Sequence, residues 1–506
     1  MSRGILLIVD GWGYAPPGPG NAIAAAHTPV LDDLSVRCPV PLLAASGRAV
    51  GLPDGVVGNS EIGHLVIGAG RPLDYDSLLV WREADSGRLR AHRVLVGTCE
   101  RLRRSGGALH LVGLASDGRI HSDIAHLGEL LYGAANAGLS RILVHAITDG
   151  RDVANGTAGA YLGQLQRMLG AVGVGRIASV VGRNYAMDKS GQQSLTNAAC
   201  ELILDGAAEQ RTDDAVSAAS GHAITDDGWL PPVVVDGPDW SPGPIRDGDA
   251  VLFANFRSDR TAPLADMMAD RLNETNRQRV ELLSLTVYDT KRPIQALVPR
   301  ADAAGGLADA LDAAGIRSAR IAEREKFEHV TFFINGRDPT RRPLEEHLCV
   351  PGGPEGDYTL APAMNVIEVA HSVIEASRRP EIGLTVANLA NMDVVGHTGQ
   401  YKATVTAAEA VDTAIGRVAD AARQLGRWLV IVGDHGNAEQ MIKIDADGAE
   451  RPYGGHTTST VPAILVSVGD RAPTPRAQGT LADIAPTVLA LLDVPASPAM
   501  TGRPLI

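Results

Sequence analysis

The stretch WLVIVGDHGNAE, residues 428–439, decides the fold expected for this chain. Five apolar residues, Trp428–Val432, lead through a glycine to Asp434 and His435. A short apolar run of this kind is typical of a strand buried in a parallel sheet. Ligands of such sheets bind beyond the carboxyl ends of the strands, so a carboxylate and an imidazole directly after the run indicate a binding site.

The same kind of apolar run recurs along the chain. Ten further runs are Ile5–Val9, Ala108–Leu114, Arg141–Ile147, Arg176–Val181, Ala250–Phe256, Leu282–Val287, Arg317–Ala322, His329–Ile334, Ile382–Leu389 and Ala463–Val468. Between them, Ser122–Gly138 and Thr404–Ala422 carry apolar residues at helical spacing. Strands that alternate with helices predict βαβ units and largely parallel sheets. Eleven strands are many for one sheet, so we expect two α/β domains.

Length and composition indicate a globular protein and exclude several classes. The chain has 506 residues, of which 45% are hydrophobic, and its net charge of −13 argues against nucleic acid or an anionic membrane as its partner. Four cysteines stand singly, which favours the cytoplasm and offers no thiolate metal site. No apolar stretch approaches the roughly 20 residues of a membrane span. Neither a P-loop nor the nucleophile motif of α/β-hydrolases occurs.

A set of carboxylates and imidazoles has the donor atoms of a divalent metal site. Its members are Asp10, Asp393, His397, Asp434, His435 and His456. Asp393 and His397 are four positions apart, so one helical turn would place both on one face, although such a pair alone is more often an ordinary solvated ion pair. Six oxygen and nitrogen ligands without thiolate suit two ions, and manganese or zinc better than calcium. Two metal ions are a standard clamp for phosphoryl transfer.

The segment GNSEIGH, residues 58–64, holds a candidate nucleophile. Ser60 lies between Gly58 and Gly63, ahead of the apolar run Leu65–Ile67, so it could begin a helix whose free N–H groups face an anion. The ordinary alternative is a serine that caps the helix. A serine hydroxyl becomes a nucleophile when a base or a metal draws off its proton, and a metal site would do so here.

Several basic residues could together hold a small anion with two or three negative charges. They are Arg151, Arg183, Lys189, Arg257, Arg260 and Lys326. Guanidinium groups bind phosphate and carboxylate with two parallel hydrogen bonds, although each residue alone could be a surface ion pair. Asp152 adjoins the first arginine, and His121 is either a local cap or a phosphate or proton-transfer partner.

Ten motifs in order, over nearly the whole chain, resemble those of the cofactor-independent phosphoglycerate mutases of the alkaline phosphatase superfamily. They are DGWG (10–13), GNSEIGH (58–64), SDGRIHS (116–122), TDGRDV (148–153), GRNYAMDK (182–189), NFRSDR (255–260), AEREKFEHVTFFINGR (322–337), NMDVVGHTG (391–399), GDHGNAE (433–439) and LADIAPTVLALLDVPASPAMTGRPL (481–505).

The resemblance implies a fold of two α/β domains and a two-metal site. A doubly wound, alkaline-phosphatase-like domain would comprise residues 1–75 and 302–506, with a phosphotransferase domain of residues 76–301 inserted. One metal would take Asp393, His397 and His456, and the other Asp10, Ser60, Asp434 and His435. Family members commonly use manganese and need no 2,3-bisphosphoglycerate. A monomeric cytoplasmic enzyme with a small-molecule substrate is expected.

The implied activity is that of an isomerase, which moves phosphate between the 3- and 2-hydroxyls of glycerate through a phosphoserine. Ser60 would attack the phosphorus while Lys326 neutralises charge on the phosphate oxygens. The remaining substrate-binding residues would be His121, Arg151, Asp152, Arg183, Lys189, Arg257 and Arg260, with Asp152 and His121 moving protons. The alternative is a phosphotransferase or phosphomonoesterase of the same family that acts on a related phospho-hydroxy acid or phosphonate.

One departure from the family pattern concerns the anion-binding residues. The family usually has arginine after Tyr-Ala-Met-Asp, whereas this chain has Lys189, followed by SGQQSLT in place of a basic, tryptophan-containing stretch. Only five of the 46 basic residues are lysines, so a lysine here runs against the composition. Either the anionic end of the substrate is held differently, or one cation neutrally replaces another.

Overall fold

The computed structural model describes residues 2–188, 191–220, 226–237, 242–352, 357–444, 450–466 and 475–506. The chain forms two compact units. The first unit comprises residues 1–74 and 301–506, and the second comprises residues 75–300. The first unit is therefore discontinuous in sequence.

The described residues form eighteen strands. In chain order they are β1 (Gly4–Val9), β2 (Leu42–Ala44), β3 (Leu109–Leu114), β4 (Ile142–Thr148), β5 (Arg176–Gly182), β6 (Gln210–Thr212), β7 (Val233–Val235), β8 (Ala250–Phe253), β9 (Glu281–Thr286), β10 (Gln295–Val298), β11 (Arg317–Glu323), β12 (Glu345–Val350), β13 (Ile382–Leu389), β14 (Trp428–Gly433), β15 (Ile442–Ile444), β16 (Glu450–Pro452), β17 (Val461–Val466) and β18 (Gln478–Thr480).

The same residues form sixteen α-helices. They are α1 (Ala22–Ala25), α2 (Pro29–Arg37), α3 (Ser60–Ala69), α4 (Asp76–Asp85), α5 (Arg93–Ser105), α6 (Ile124–Asn136), α7 (Ala158–Val172), α8 (Arg183–Ala186), α9 (Gln193–Asp205), α10 (Ala215–Ser220), α11 (Ala262–Glu274), α12 (Leu307–Ala313), α13 (Val366–Arg378), α14 (Asn391–Gly396), α15 (Tyr401–Gln424) and α16 (Ile484–Leu491). In the described part of the chain, no helix has both the length and the apolar character that a bilayer span requires.

Each unit is built on its own eight-stranded sheet, which confirms the predicted α/β fold class. The first sheet has the order β12-β11-β13-β1-β14-β17-β2-β18, and its strands from β12 to β14 are parallel. The second has the order β10-β9-β8-β3-β4-β5-β7-β6 and is parallel from β10 to β5. In each unit the carboxyl ends of the parallel strands therefore lie along one edge of the sheet.

Long amphipathic helices cover the first sheet. Helix α15 buries apolar residues three or four positions apart, so they form one stripe along the helix. The stripe packs in a common core with residues of β1 and β14; members of this core are Ile5, Leu7, Ala408, Val411, Ile415, Val418 and Ile431. Side chains of this size contribute roughly 1.5–3 kcal/mol each when buried, and this packing fixes the sheet edge that carries the polar residues.

The predicted strand His329–Ile334 is wrong. The chain leaves β11 at Glu323, makes a 3-10 turn over Arg324–Lys326 and forms a π-helical turn over His329–Phe333. The backbone carbonyl of Ile334 lies so close to Gly68 of α3 that a β-carbon there would meet it at 2.0 Å. Short apolar runs do not distinguish strands from buried helical turns, and here packing against α3 decides the outcome.

Candidate functional site

Ser60 is the first residue of α3, and its hydroxyl lies in a buried polar cluster of the first unit. Asn59 caps the helix by accepting a hydrogen bond from the Ile62 N–H at 2.9 Å. The Ser60 hydroxyl donates to Asp10 Oδ1 at 3.0 Å and lies 2.9 Å from His435 Nε2. The first turn of α3 therefore presents the hydroxyl and the positive end of the helix dipole to the ends of β1 and β14.

Asp10, Asp434 and His435 form the first group of candidate metal ligands. All three are buried, and one ligand atom from each lies within 4.8 Å of the others. Asp434 Oδ1 accepts hydrogen bonds from the backbone N–H groups of Gly11 and His435, at 3.1 and 3.0 Å. Asp434 Oδ2 is equally buried and, within the described residues, accepts no hydrogen bond, although His64 Nδ1 and His435 Nε2 lie 3.3 and 3.4 Å away. A buried carboxylate oxygen whose hydrogen bonds are not made fits a bound cation.

Asp393, His397 and His456 form the second group, again within 4.8 Å. Each imidazole directs Nδ1 at a backbone carbonyl: His397 lies 2.7 Å from the Gly454 oxygen, and His456 lies 2.9 Å from the Gly58 oxygen. Nδ1 therefore carries the proton in each neutral ring. The two unprotonated Nε2 atoms then face each other at 3.0 Å, so a proton or a cation must lie between them.

The carboxylate of Asp393 adds a negative charge to the second group, which therefore also favours a bound cation. Its Oδ1 is 3.4 Å from the Nε2 of His397 and 3.2 Å from that of His456. Three acceptors converging on one point, one of them a carboxylate, fit a divalent ion better than a proton. His397 is exposed, so this group opens to solvent on one side.

The ammonium of Lys326 connects the two groups. It donates to Asp10 Oδ1 at 2.8 Å, to Asp393 Oδ2 at 2.6 Å and to the Ser60 hydroxyl at 2.6 Å. Burial opposes its charge, but the neighbouring carboxylates raise the pKa of Lys326 above its usual range. Burial also disfavours the charged forms of Asp10 and Asp393. Lys326 and the nearby imidazoles outweigh this effect and lower the pKa values of both carboxyl groups.

The protonation of His435 adds a second positive charge to the metal-free cluster. Burial disfavours the imidazolium, but Asp434, Asp10 and Asp393 raise the pKa of His435 to about 10. Three buried carboxylates thus face one ammonium and one imidazolium. Such a cluster retains negative charge, and divalent cations would replace the proton while neutralising the carboxylates.

Several polar residues that support this cluster were missed by the sequence analysis. They are His64, Asn388, Asn437, Glu439 and Thr457. Asn437 donates to Asp393 Oδ1 at 3.3 Å, and Glu439 accepts from the Asn437 N–H at 2.8 Å and from the Thr457 hydroxyl. Two sequence signals were available: His64, Asn437 and Glu439 lie within the motifs GNSEIGH and GDHGNAE, and Asn388 is a polar residue inside the apolar strand β13.

A second cluster of predicted site residues lies in the second unit, where β3, β4 and β5 end. Arg183 Nη1 pairs with Asp149 Oδ1 at 2.6 Å and with Asp152 Oδ1 at 2.9 Å; Arg183 and Asp149 are buried, and Asp152 is partly buried. Asp149 also accepts from the backbone N–H groups of Arg151 and Asp152. The motif TDGRD therefore forms a tight turn around one carboxylate, which holds Arg183 against Asp152.

His121 lies in the electrostatic field of this cluster. Burial, together with the charges of Arg257 and Arg183, lowers the pKa of His121 to about 4. Burial and Asp149 raise the pKa of Asp152, whose buried Oδ2 accepts no hydrogen bond from the described residues. The second unit thus holds a neutral imidazole, that of His121, and a carboxylate with an unused acceptor oxygen, that of Asp152. Both lie close to the guanidinium of Arg183.

The remaining predicted anion-binding residues differ in exposure and in their ion-pair partners. Arg257 and Arg260 both pair with Asp259, at 3.0 and 3.4 Å, and remain partly exposed. Arg151 is exposed, and Lys189 lies outside the described residues. Sequence reasoning grouped Lys326 with these cations, whereas the structure places it among the candidate metal ligands of the first unit.

Comparison with known proteins identifies the relatives of this chain. A family model described as the metalloenzyme superfamily matches residues 2–496. A 2,3-bisphosphoglycerate-independent phosphoglycerate mutase of Streptomyces coelicolor is 52% identical over 99% of this chain and 98% of its own length. A protein of the same name from Nitratidesulfovibrio vulgaris is 41% identical over 99% and 98%. A solved phosphoglycerate mutase of Leishmania mexicana, studied at low cobalt concentration, superposes with a TM-score of 0.75 at 30% identity, covering 99% of this chain and 97% of its own.

The α/β fold, the two ligand groups and the superfamily match together define a metalloenzyme that depends on divalent metal. Within that superfamily, the chain belongs to the family of 2,3-bisphosphoglycerate-independent phosphoglycerate mutases. The family resemblance inferred from the ten motifs is confirmed.

Proposed function

We propose that this chain is an isomerase that interconverts 3-phosphoglycerate and 2-phosphoglycerate by phosphoryl transfer through Ser60. The observation that carries the proposal is the position of the Ser60 hydroxyl, within 3.0 Å of Lys326, His435 and Asp10, at the start of a helix. A nucleophile among cations and a helix N-terminus suits the attack on a phosphate dianion. The family of its relatives supports the choice of substrate.

The metal site in this proposal holds two divalent ions, which we take to be manganese. One would be bound by Asp393, His397 and His456, and the other by Asp10, Ser60, Asp434 and His435. Bound there, the ions would supply positive charge to the serine oxygen and to the phosphoryl oxygens. In agreement with the name of its relatives, the proposed reaction passes the phosphoryl group through Ser60 and requires no 2,3-bisphosphoglycerate.

The chain's own residues account for the transfer. The deprotonated Ser60 oxygen forms a bond to phosphorus as the bond from phosphorus to the glycerate oxygen breaks, which leaves phosphoserine and free glycerate. Lys326 donates hydrogen bonds to the phosphoryl oxygens and stabilises the charge that develops on them. The phosphoryl group then returns to the other glycerate hydroxyl, and Ser60 is regenerated.

The second unit, in this proposal, binds the glycerate portion and moves its protons. Arg151, Arg183, Lys189, Arg257 and Arg260 bind the carboxylate and phosphate of the substrate. Asp152, with its open acceptor, takes the proton from the attacking hydroxyl, and the neutral His121 relays a proton to the leaving oxygen by accepting one at one ring nitrogen as it gives one from the other. The first unit is then a phosphatase-like metal-binding domain and the second a phosphotransferase domain.

The test is a turnover assay of the purified, manganese-loaded chain on 3-phosphoglycerate, followed by phosphorus NMR. The proposal predicts an equilibrium mixture of the two phosphoglycerates with little free phosphate. Free phosphate as the main product would favour the phosphomonoesterase alternative, and no conversion would contradict both.

Lys189 favours a second candidate, in which the substrate is a related phospho-hydroxy acid or a phosphonate. The residue stands where the family usually has arginine. A Lys189→Arg variant separates the two proposals. A marked gain in phosphoglycerate mutase activity would support a different native substrate, whereas unchanged or reduced activity would support phosphoglycerate.

We also propose that the enzyme acts in the cytoplasm as a monomer. All four cysteines are free thiols in the structure, as a reducing compartment would maintain them. Light scattering of the purified chain at working concentration tests the oligomeric state, for which we expect the mass of one chain, 52.9 kDa.

A further inference from the structure

We propose that His64 and Asn388 are positioning residues, which fix the Asp10 carboxylate so that Oδ1 alone faces the ligand group. The inference rests on the proposed function only in taking Asp10 as a metal ligand. Both residues lie in the first unit and are fully buried, and neither belongs to the predicted ligand set.

The two oxygens of Asp10 have separate sets of partners. Oδ1 lies close to the Ser60 hydroxyl, the Lys326 ammonium and His435 Nε2, at 3.0, 2.8 and 3.3 Å. Among the residues that the structure describes, Oδ2 accepts one hydrogen bond, from the Asn388 side-chain amide at 2.7 Å. Asn388 therefore occupies the oxygen that points away from the serine and prevents the carboxylate from rotating.

The carboxylate also fixes the orientation of the Asn388 amide. If the amide were turned over, its oxygen would face a carboxylate oxygen at 2.7 Å, which is strongly repulsive. The nitrogen must therefore face Asp10, and its second hydrogen is directed at His64 Nε2, 3.0 Å away. An N–H group on His64 Nε2 would clash with that hydrogen, so Nε2 is the acceptor.

His64 accordingly has its proton on Nδ1. This atom lies 2.8 Å from the backbone oxygen of Ser60, one helical turn earlier in α3, and donates to it. The ring edge also contacts the His329 ring, with centroids 5.2 Å apart. One imidazole ring thus connects the backbone of Ser60 with the amide that holds Asp10.

The competing explanation is a charged His64 that pairs with Asp434. His64 Nδ1 is 3.3 Å from Asp434 Oδ2, a distance that an ion pair would satisfy. An imidazolium, however, would place a proton on Nε2 against the Asn388 amide. The hydrogen bonds of Asn388 and the ion pair with Asp434 are therefore exclusive, and the contacts of the Asn388 amide with Asp10 Oδ2 at 2.7 Å and His64 Nε2 at 3.0 Å favour the hydrogen bonds.

The two hydrogen bonds of His64 can be separated by substitution. In His64→Gln, the amide oxygen reaches the Nε2 position and can accept from Asn388. In His64→Asn, the shorter amide reaches the Nδ1 position and can donate to Ser60 but cannot reach Asn388. Asn388→Leu keeps the volume of the side chain and removes both hydrogen bonds to Asp10 and His64.

The experiment measures Mn²⁺ binding to the metal-free full chain by calorimetry, with His371→Gln and His371→Asn as matched controls on the exposed side of α13. Substitution of a residue that hydrogen-bonds to a metal ligand typically lowers the metal affinity 10- to 100-fold. We expect losses in that range for one of the two ions in Asn388→Leu and His64→Asn, and a loss below about threefold in His64→Gln. Unchanged affinity in Asn388→Leu, or equal losses in both His64 variants, would overturn the proposal.

Nitrogen NMR of the unsubstituted, metal-free chain gives a result that does not depend on the folding of any variant. The proposal requires a His64 signal pair with one protonated nitrogen, Nδ1, and one unprotonated nitrogen, Nε2. Two protonated nitrogens would overturn it in favour of the Asp434 ion pair. Neither measurement uses turnover, so a chain that binds Mn²⁺ but leaves 3-phosphoglycerate unchanged would contradict the proposed function and leave this inference standing.

Discussion

Lys326 shows how the buried cluster is held together in the absence of metal. Its ammonium contacts Asp10, Asp393 and the Ser60 hydroxyl, and the side chain is 7% exposed. Removing one partner of a buried ion pair typically costs about 3–5 kcal/mol, because the other charge stays buried without compensation. Divalent ions would supply the missing charge.

Substitution of Lys326 by methionine should therefore destabilise the metal-free chain far more than the metal-loaded one. We expect the free energy of unfolding of metal-free Lys326→Met to fall by about 3 kcal/mol, with most of the loss recovered at saturating Mn²⁺. Urea unfolding without Mn²⁺ measures the loss of stability, and urea unfolding at saturating Mn²⁺ measures how much of it is recovered. Lys402→Met, on the exposed side of α15, is the control. An equal loss in both metal states would show that Lys326 does not compensate the ligand carboxylates.

The start of α3 should control both stability and the position of the nucleophile. Asn59 supplies the capping hydrogen bond directly before Ser60, and loss of such a cap costs about 1 kcal/mol. We expect Asn59→Ala to lose this stability together with part of kcat, and Asn59→Asp to retain both.

Asn21 makes an equivalent cap at α1 and provides the comparison. Asn21→Ala should lower the melting temperature without lowering kcat per folded molecule. If Asn59→Ala behaved in the same way, the helix start would have a purely structural role.

The end of β11 carries a buried carboxyl group that predicts a pH-dependent stability. Burial and the neighbouring Glu325 raise the pKa of Glu323 to about 7, and Glu323 Oε2 accepts no hydrogen bond from the described residues. In the unfolded chain the pKa is near 4.5. Between these values the folded chain binds more protons than the unfolded chain, so this group lowers stability as the pH rises from about 4.5 to 7.

Glu323→Gln should remove that slope. Relative to the unsubstituted chain, we expect the variant to gain on the order of 3 kcal/mol at pH 8 and little at pH 5. The midpoint of urea unfolding across this pH range measures the gain. Glu328→Gln, at an exposed position nearby, should change neither value. A difference that does not vary with pH would contradict the assigned pKa.

The two units should be separable, because each has its own sheet and core. The two pieces of the first unit approach each other where the second is inserted: Leu73 belongs to a small core against which Ala301 and Ala303 pack. A short glycine-serine linker can therefore join residue 74 to residue 301.

The joined first unit should fold and bind Mn²⁺ without converting phosphoglycerate. Residues 75–300 expressed alone should fold without measurable Mn²⁺ affinity. Circular dichroism measures the folding of each piece, calorimetry measures its Mn²⁺ binding, and the turnover assay measures the conversion of phosphoglycerate. Loss of Mn²⁺ binding from the joined first unit, with its fold intact, would contradict the assignment of all metal ligands to that unit.

Sequence reasoning could predict much of this architecture because the decisive signals are local. Long apolar runs that end in polar residues marked β1, β13 and β14, and Asp10 and Asp434 directly follow two of them. Strands of three residues, such as β2 and β18, are too short to show periodicity. The run His329–Ile334 has strand-like composition, and its π-helical form depends on contacts with α3 from a distant part of the chain.

The hydrogen-bond partners of the site residues could not be predicted, because they come from segments that are distant in the sequence. The opposed Nε2 atoms of His397 and His456 follow from contacts of their Nδ1 atoms with the backbone carbonyls of Gly454 and Gly58, and a backbone contact of this kind leaves no signal in the sequence. Lys326 could be recognised as a functional cation but not assigned to Asp10, 316 positions away. Asn388 is visible as a polar residue in an apolar strand, but the sequence does not reveal its partners Asp10 and His64.

The most direct test of the account is the detection of phosphate on Ser60 during turnover. The Mn²⁺-loaded chain is mixed with 3-phosphoglycerate, quenched in acid within one turnover, and analysed by peptide mass spectrometry. We predict a phosphorylated peptide whose modified residue is Ser60, and its absence in Ser60→Ala together with at least a roughly 10⁴-fold loss of turnover. Conversion of phosphoglycerate without this phosphopeptide, or by the Ser60→Ala chain at an ordinary rate, would contradict the central claim.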